Sequence, residues 1–339
     1  METNNRNLLL AAAGAGALLA WRAFNRSRQA LDLRGKSVLI TGGSRGLGLV
    51  LARQLAEEGA RLAICARNAD ELETARQELE GRGAEVLALP CDVTKHDDVM
   101  ELVARVQDRF GGVDVLINNA GVIQVAPLEE VTLHDFEEAM NTHFWGPLYT
   151  TLAVLPQMRK QQAGRIVNIS SIGGKVSLAH LVPYSSSKFA LTGLSEGLRA
   201  ELKKDGILVT TVCPGLTRTG SPRNVILKGQ HEKEYAWFTT LDVTPGISKG
   251  AESTARRIIE ALRYGEAEVV TTLAGKAIVG FHGLFPGLTA DATALINRLL
   301  PGPGGIGKER VKGYESISDK TPDWVQARND QAARENNEM

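Results

Sequence analysis

From Lys36 onward the chain alternates between short β-rich runs and longer segments with helical periodicity. The first unit is a strand over 37–41 followed by a helix over 47–58, and this order recurs along the chain as far as the strand at 207–213. Parallel strands need a helical crossover between them. The order therefore predicts an α/β fold, a doubly wound parallel sheet with helices on both faces. Ligands of such a sheet bind in the crevice at the carboxyl ends of its strands.

The first predicted strand ends in a glycine-rich turn, Gly42-Gly43-Ser44-Arg45-Gly46-Leu47-Gly48, that opens the next helix. Glycines allow a backbone to approach a pyrophosphate, and the helix N-terminus adds free N–H groups and a favourable dipole. Taken alone, the loop could be only a tight turn, but its place between a strand and a helix favours nucleotide binding. The predicted contacts here are Gly42, Ser44, Arg45, Gly46, Leu47 and Gly48.

The end of the second predicted strand indicates which nucleotide binds. A carboxylate about 20 residues past the glycines would hold a free ribose 2′-hydroxyl. Here the strand closes with Ala66 and then Arg67, so no carboxylate is present to repel a phosphate. Arg67 and Arg45 could pair with a phosphate bidentately, which predicts NADP(H) as the cofactor. The alternative for Arg67 is an ordinary surface arginine.

Three further strand ends carry polar or small residues. Asp92-Val93 follows the third predicted strand, Asn118 to Gly121 follows the fourth, and Pro214-Gly215 follows the strand at 207–213. Asp92 could accept a hydrogen bond from an adenine amine, and the small residues after Asn119 would let backbone lie close to a ribose. Each feature alone could be a turn, but all fall at the edge where ligands bind. The nucleotide-binding set predicted here is Asp92, Val93, Asn119, Ala120, Gly121, Pro214, Gly215, Thr217 and Thr219.

A candidate proton-transfer site combines Tyr184, Lys188 and Ser171. Tyr184 and Lys188 stand four apart at the start of an apolar-periodic run, so on a helix they share one face. A nearby ammonium favours the phenolate and is expected to lower the pKa of Tyr184, and Ser171 could donate a second hydrogen bond to the same substrate oxygen. A tyrosine and a lysine at this spacing also occur as solvated pairs on exposed helices, so the spacing alone is weak evidence.

Composition excludes some functions. Lys plus Arg equals Asp plus Glu at 39 each among 339 residues, so no global basic field favours nucleic acid. Cys65, Cys91 and Cys213 lie near the ends of apolar runs and are predicted to be buried free thiols in a reducing compartment. Neither the cysteines nor the histidines show metal-ligand spacing, so no metal is predicted.

Residues 1–35 differ from the rest of the chain. Leu8 to Trp21 is uncharged and apolar, with Arg6 before it and Arg22, Arg26 and Arg28 after it. The run is short for a full membrane span. With Trp21 and the arginines at the interface it is predicted to be a short membrane anchor. The alternative is a helix packed on the protein. An anchor would leave a cytoplasmic catalytic body associated with the membrane surface.

The chain beyond the last strand–helix units is predicted less sharply. Residues 220–246 are a polar and aromatic insertion, interpreted as a loop that forms a lid over substrate. Residues 273–300 are an apolar, weakly helical extension that could cover the substrate mouth, pack in an oligomer or lie on a membrane. Residues 301–339 are predicted to be a linker and a mobile charged tail.

Residues 36–272 resemble the short-chain dehydrogenase/reductase family, whose members have a single catalytic domain with a Rossmann fold. The resemblance is carried by Thr41-Gly-x-x-x-Gly46-x-Gly48, Asp92, Asn118-Asn-Ala-Gly121, Asn141, Ser171, Tyr184-x-x-x-Lys188 and Pro214-Gly215 with Thr219. The glycine spacing resembles the family's reductase-like branch, and the arginines Arg45 and Arg67 resemble its NADP-preferring members.

The resemblance implies a role for each catalytic residue. Tyr184 would be the acid/base, and Ser171 would orient the substrate oxygen. Lys188 would bind the nicotinamide ribose and lower the pKa of Tyr184, so Tyr184 and Lys188 also belong to the coenzyme-binding set. Asn141 would hold a water in the proton relay, and Thr219 would contact the nicotinamide carboxamide.

The function expected from these features is an NADP(H)-dependent oxidoreductase that transfers a hydride between nicotinamide and a carbonyl or alcohol substrate. The aromatic residues of the insertion and the anchor favour a lipophilic small molecule. The alternative is a catalytically silent NADP-binding sensor or scaffold, because a fold does not secure a function. A homo-oligomer is left open by the sequence.

Overall fold

The computed structural model describes residues 30–339. Its centre is a sheet of seven parallel strands flanked by helices, which confirms the predicted fold class. The strands of the chain are β1 (Ser37–Thr41), β2 (Arg61–Ala66), β3 (Val86–Pro90), β4 (Val115–Asn118), β5 (Gln124–Val125), β6 (Gly164–Ile169), β7 (Ile207–Cys213), β8 (Thr217–Arg218), β9 (Ile226–Leu227), β10 (Lys249–Gly250), β11 (Glu268–Val270) and β12 (Val311–Lys312). The helices are α1 (Gly46–Glu57), α2 (Ala69–Gly81), α3 (His96–Phe110), α4 (Leu133–Met140), α5 (Gly146–Gln161), α6 (Val182–Leu202), α7 (His231–Val243), α8 (Ala251–Tyr264), α9 (Leu273–Leu284), α10 (Pro286–Asn297) and α11 (Asp323–Glu335).

The strand order of the central sheet is β11-β7-β6-β4-β1-β2-β3. β1 pairs with β2 on one side and with β4 on the other, so the chain reverses its direction across the sheet at β1. Such a reversal leaves a crevice beyond the carboxyl ends of the strands, because the helices that follow the two neighbouring strands lie on opposite faces.

Alternation along the strands divides the core into two layers. Val38 and Ile40 belong to one buried cluster, which also contains residues of α1 and α8. Leu39 lies between them and belongs to the other cluster, with residues of α3 and α5. Both faces of β1 are therefore covered, which is why the strand is a continuous apolar run.

A π-helical turn, Asn141–Trp145, joins α4 to α5. A π turn holds more residues than an α turn, so it changes which side chains face the interior, and such turns often occur at functional sites. Here His143 faces inward and is fully buried, whereas Asn141 is exposed.

Residues 220–246 do not form a long loop. They contain β9 and α7, and α7 buries Tyr235 and Phe238 in a third apolar cluster with Val125, Leu181 and Leu227. The aromatic residues that suggested a lid are thus partly core residues.

The expectation of a mobile tail over residues 301–339 is wrong. β12 pairs antiparallel with β9, which pairs with β5, and α11 packs on α7. An ion pair between Arg223 and Asp330, with 2.9 Å between nitrogen and oxygen, fastens α11 further. The charges that suggested a solvated tail are used in contacts with the body of the protein.

Helices α9 and α10 form the apolar extension at 273–300. Their large side chains are mostly exposed, including Phe281, Leu284 and Leu288. Within residues 30–339, no helix is long and apolar enough to cross a bilayer. The predicted anchor at 8–21 lies outside the described residues.

The three cysteines are buried and form no disulfide, as the sequence predicted.

Candidate active site

One cavity of about 790 Å³ runs along the carboxyl ends of the central strands. It passes from the glycine-rich turn after β1, past Arg67 and Asp92, to Ser171 and Tyr184. The sequence motifs therefore meet at the predicted edge of the sheet. The predicted site residues that line the cavity are Gly42, Ser44, Arg45, Gly46, Leu47, Arg67, Asp92, Val93, Asn119, Ala120, Gly121, Ser171, Tyr184, Lys188, Pro214, Gly215, Thr217 and Thr219.

Two predicted residues do not line the cavity. Gly48 lies beneath the turn, where a Cβ would stand 2.0 Å from the carbonyl oxygen of Gly42, so only glycine lets α1 start this close to β1. Asn141 is exposed on the π-helical turn. The structure thus gives no support to the relay role that the resemblance implies for Asn141.

The glycine-rich turn is held from below by the segment after β4. Thr41 Oγ1 accepts hydrogen bonds from the backbone N–H groups of Asn119 (3.0 Å) and Ala120 (3.1 Å). The Asn119 amide donates to the carbonyl oxygens of Thr41 (3.1 Å) and Gly42 (3.0 Å). Gly46 adopts φ = 56°, a left-handed conformation that favours glycine. These contacts fix a small-residue cradle of the kind that accommodates a dinucleotide.

Arginines, acids and a lysine gather at one end of the cavity, which we call the phosphate end. Arg45 pairs with Glu71 (3.2 Å) and with Glu338 (3.4 Å), while Arg67 is exposed and forms no ion pair within residues 30–339. Lys312 also lines this end, and burial followed by the charges of Arg45 and Arg67 lowers its pKa. Three cations thus line this end of the cavity, and cations are the groups that bind phosphate.

Ser171, Tyr184 and Lys188 meet at the other end, which we call the reaction end. Ser171 follows β6 and hydrogen-bonds Tyr184, while both Tyr184 and Lys188 belong to α6. The Lys188 ammonium nitrogen lies 5.7 Å from the centre of the Tyr184 ring and donates to the carbonyl oxygen of Ile169 (2.8 Å). The predicted constellation is therefore assembled.

The pKa of Tyr184 shifts in the direction opposite to the one expected. Burial raises it, and the hydrogen bond from Ser171 only partly opposes this effect. Burial also lowers the pKa of Lys188 to about 7, because an ammonium is poorly stabilised in an apolar enclosure. The sequence revealed the nearby cation but not the loss of water around both groups.

His143 is a site residue that the sequence reasoning missed. Its Nε2 accepts from the backbone N–H of Val122 (3.1 Å), so the proton is on Nδ1, which donates to Ser187 Oγ (2.8 Å). Ser187 in turn donates to the carbonyl oxygen of Tyr184 (2.8 Å). Burial, followed by the Lys188 charge, holds the pKa of His143 well below its usual value, so the ring is neutral.

The position of His143 also brings it against the candidate acid/base. Its ring lies edge-on to that of Tyr184, with 5.5 Å between the ring centres. A histidine inside an otherwise apolar helix pattern is the only sequence signal that pointed to it.

Lys312 and Glu338 also line the cavity and were missed by the sequence analysis. No local pattern indicates either residue, because both are more than 260 residues from the glycine-rich turn.

Apolar side chains surround the cavity beyond Tyr184. They come from the segment between β6 and α6, from α7, from the segment between α7 and β10, and from α9. These residues are Val176, Leu178, Leu181, Trp237, Phe238, Leu241, Ile247 and Ile278. Trp237 is oriented by a hydrogen bond from its indole N–H to Glu234 (2.7 Å), which also binds His180 (2.9 Å).

A doubly wound sheet, a glycine-rich cradle and a serine, tyrosine and lysine in one crevice define a dinucleotide-binding oxidoreductase. Comparisons with known proteins agree. The family model for short chain dehydrogenase matches residues 36–228, more than half of the chain. The chain belongs to the short-chain dehydrogenase family. It is therefore an oxidoreductase that uses a nicotinamide coenzyme and acts on CH–OH or C=O groups of small molecules.

Relatives and solved structures extend the likeness. A putative ketoacyl reductase from Streptomyces coelicolor is 40% identical over 183 residues, covering 53% of this chain and 70% of the relative. The structure of an actinorhodin polyketide ketoreductase variant with NADPH has a TM-score of 0.63 and 31% identity, covering 72% of this chain and 97% of that one. A short-chain dehydrogenase/reductase from Burkholderia phymatum in complex with NAD has a TM-score of 0.69 and 25% identity, covering 76% and 96%. Similar structures thus hold either nicotinamide coenzyme.

Proposed function

We propose that this protein is an NADPH-dependent reductase of lipophilic carbonyl compounds, in which Tyr184 is the acid. The observation that carries the proposal is the convergence of Ser171, Tyr184 and Lys188 on a cavity with an apolar wall. The bound coenzyme would supply the hydride. The chain's own residues must bind the carbonyl oxygen, give it a proton and exclude water.

Burial raises the pKa of Tyr184, so its phenol is neutral and carries a proton at neutral pH. A neutral phenol holds the proton that the substrate oxygen needs, and the Ser171 hydroxyl can donate to the same oxygen. Proton donation leaves a phenolate. An ammonium on Lys188, one helical turn away, would stabilise that phenolate in the apolar enclosure.

We assign His143 a positioning role. Both of its ring nitrogens are engaged, one by Val122 and the other by Ser187, so it has no free nitrogen to pass a proton onward. Through Ser187 it contacts the backbone of Tyr184 at the start of α6. The ring thereby fixes the acid relative to the segment after β4.

The preference for NADPH is supported by the charges at the phosphate end. Arg67 lines the cavity without an ion-pair partner in the described part of the chain, and β2 ends without a carboxylate. Lys312 adds a cation that the sequence reasoning did not foresee. A 2′-phosphate would meet these cations, which NADH could not use.

The substrate is proposed to be lipophilic because Trp237, Leu241 and Ile278 line the cavity. A cavity lined mainly by apolar side chains with a few convergent polar groups gains most of its binding free energy from apolar surface.

The test is NADPH oxidation, followed by absorbance, with a panel of aliphatic, aromatic, steroidal and acyl carbonyls. The wild type is expected to turn over apolar carbonyls, and Tyr184→Phe is expected to lose about 10²–10⁴-fold in turnover while still binding NADPH. Full activity of a folded Tyr184→Phe variant would refute the acid assignment. Tight NADPH binding with no turnover across the panel would instead favour the nucleotide-binding sensor or scaffold.

A further inference from the structure

Residues 336–338 lie against the phosphate end of the cavity, and Glu338 lines it. After α11 ends, the backbone carbonyl of Asn336 accepts from the N–H of Gly46 (2.8 Å), in the glycine-rich turn. The Asn336 amide donates to the carbonyl oxygen of Thr219 (3.3 Å). The Asn337 amide donates to the carbonyl oxygens of Ser44 (2.9 Å) and Glu71 (3.2 Å). The tail, residues 336–338, is thus bonded to three separate parts of the phosphate end.

Glu338 brings a carboxylate to the middle of this network. It is only 6% exposed, and its Oε2 lies 2.7 Å from the Asn224 amide nitrogen and 3.4 Å from Nε of Arg45. The Asn224 amide also donates to the backbone carbonyl of Glu338 (3.1 Å). The other carboxylate oxygen of Glu338, Oε1, would stand 2.5 Å from a Cβ placed on Gly46. Glu338 therefore lies directly against the glycine-rich turn.

A carboxylate and a phosphate use the same donors. Guanidinium groups, amide N–H groups and the N–H groups at a helix N-terminus all bind either anion. Glu338 uses the first two, and the Asn336 carbonyl uses a third donor, the N–H of Gly46, which is the first residue of α1. The tail therefore takes donors that a coenzyme phosphate needs.

We propose that the tail, residues 336–338, is a built-in competitor of the coenzyme, in which Glu338 holds the phosphate-binding donors until the coenzyme displaces it. The proposal rests on the nicotinamide coenzyme of the proposed function. A site that is open for only part of the time binds its ligand with an apparent affinity reduced by that fraction. The tail thus raises the coenzyme concentration that is needed to fill the site.

The surroundings of Glu338 leave its negative charge poorly compensated. Arg45 is its counter-ion, but the charge of Glu71 opposes that effect, and burial together with the charge of Glu338 raises the pKa of the neighbouring Asp242. Burial is the main influence and raises the pKa of Glu338 to about 7. An anion in this position is poorly stabilised, whereas a phosphate could also reach the exposed Arg67.

The test compares coenzyme binding to wild type, Glu338→Gln and Glu335→Gln by titration calorimetry. Glu335 is three residues away and exposed, so its variant makes the same charge change outside the cavity. Glu338→Gln keeps the shape of the side chain but removes the charge that pairs with Arg45. It is expected to bind NADPH at least about fivefold more tightly than wild type, and Glu335→Gln to match wild type.

Two fragments identify the phosphate with which Glu338 competes. Tighter binding of 2′,5′-ADP by Glu338→Gln would assign the competition to the 2′-phosphate, and tighter binding of ADP to the pyrophosphate. Hydrogen exchange supplies a readout without turnover. Amides of residues 330–339 are expected to exchange faster in wild type when NADPH is added, because the tail is released.

Unchanged or weaker NADPH binding by a folded Glu338→Gln variant would overturn the proposal. Slower exchange in the tail on adding NADPH would also overturn it, since the tail would then be part of the bound site. Failure of the wild type and both variants to bind any nicotinamide nucleotide would instead remove the proposed function.

Discussion

The two ends of the cavity solve the problem of buried charge in opposite ways. At the reaction end, Lys188 is buried beside Tyr184 and forms no ion pair with any residue that the structure describes, and burial shifts the pKa of each toward its neutral form. At the phosphate end, Arg45 is already paired with two acids, Glu71 and Glu338. Burying an unpaired charge is costly, whereas a paired cation remains charged.

In the proposed function the two ends have different tasks. Removal of water brings the pKa of Lys188 close to neutral pH, and it raises the pKa of Tyr184, so the phenol keeps the proton that it would donate. An anion site needs a permanent positive charge. Glu71 and Glu338 act as counter-ions of Arg45 when no ligand is bound. Turnover is accordingly expected to be sensitive to the loss of a single group at the reaction end. Binding of the coenzyme phosphate is expected to depend on several cations, so the loss of one should have a smaller effect.

The largest effect is expected at the reaction end, from Lys188→Met. Removing the ammonium should lower turnover about 10²–10⁴-fold, because the phenolate left by Tyr184 loses its nearest cation. The measurement is kcat for NADPH oxidation. Lys204→Met, which makes the same substitution at an exposed position, is the matched control. Turnover within a factor of two of wild type would show that Lys188 is not needed for proton transfer.

At the phosphate end, Arg67→Ala should weaken NADPH binding about tenfold and leave NADH binding nearly unchanged. The smaller effect reflects the other cations, Arg45 and Lys312, that remain in the cavity. Dissociation constants for both coenzymes measure it, and Arg105→Ala, an exposed arginine on α3, is the control. Equal losses for the two coenzymes would rule out a contact between Arg67 and the 2′-phosphate.

A further comparison separates positioning from proton transfer at the reaction end. His143→Leu should lower kcat about tenfold, because Val122 N–H and Ser187 lose their partner. His143→Asn, which can both donate and accept, should recover part of that loss, and the exposed His134→Asn should have no effect. The pH profile of kcat should keep its shape in His143→Asn, since the histidine is neutral throughout. A displaced profile would mean that His143 itself exchanges protons.

The last prediction concerns stability rather than activity. The pKa of Lys188 is about 7 in the folded protein and about 10.5 when exposed, so the unfolded chain binds more protons between these values. Wild type should therefore gain stability relative to Lys188→Met as pH rises from 7 to about 9, by up to about 1.4 kcal/mol per unit. Urea unfolding at several pH values measures the difference, and a constant difference would show that Lys188 is not desolvated.

Prediction from the sequence succeeded where the signal was local. Short apolar runs and the glycine-rich turn placed β1 and α1, and the spacing of Tyr184 and Lys188 placed them on one helical face. It failed at Asn141, because a π-helical turn changed which residue faces inward. It also missed the secondary structure within 220–246, because aromatic residues that were interpreted as part of a loop help to form the buried face of α7.

The sequence by itself determined the alternation of strands and helices in the central sheet and the motifs at the strand ends, since these depend on neighbours within a few residues. Only the tertiary structure decided which charges share the cavity, because Lys312 and Glu338 reach it through pairings that span most of the chain. It also decided the ionisation of Tyr184 and Lys188. Their pKa values depend on how much water the surrounding elements exclude, and no local pattern encodes that quantity.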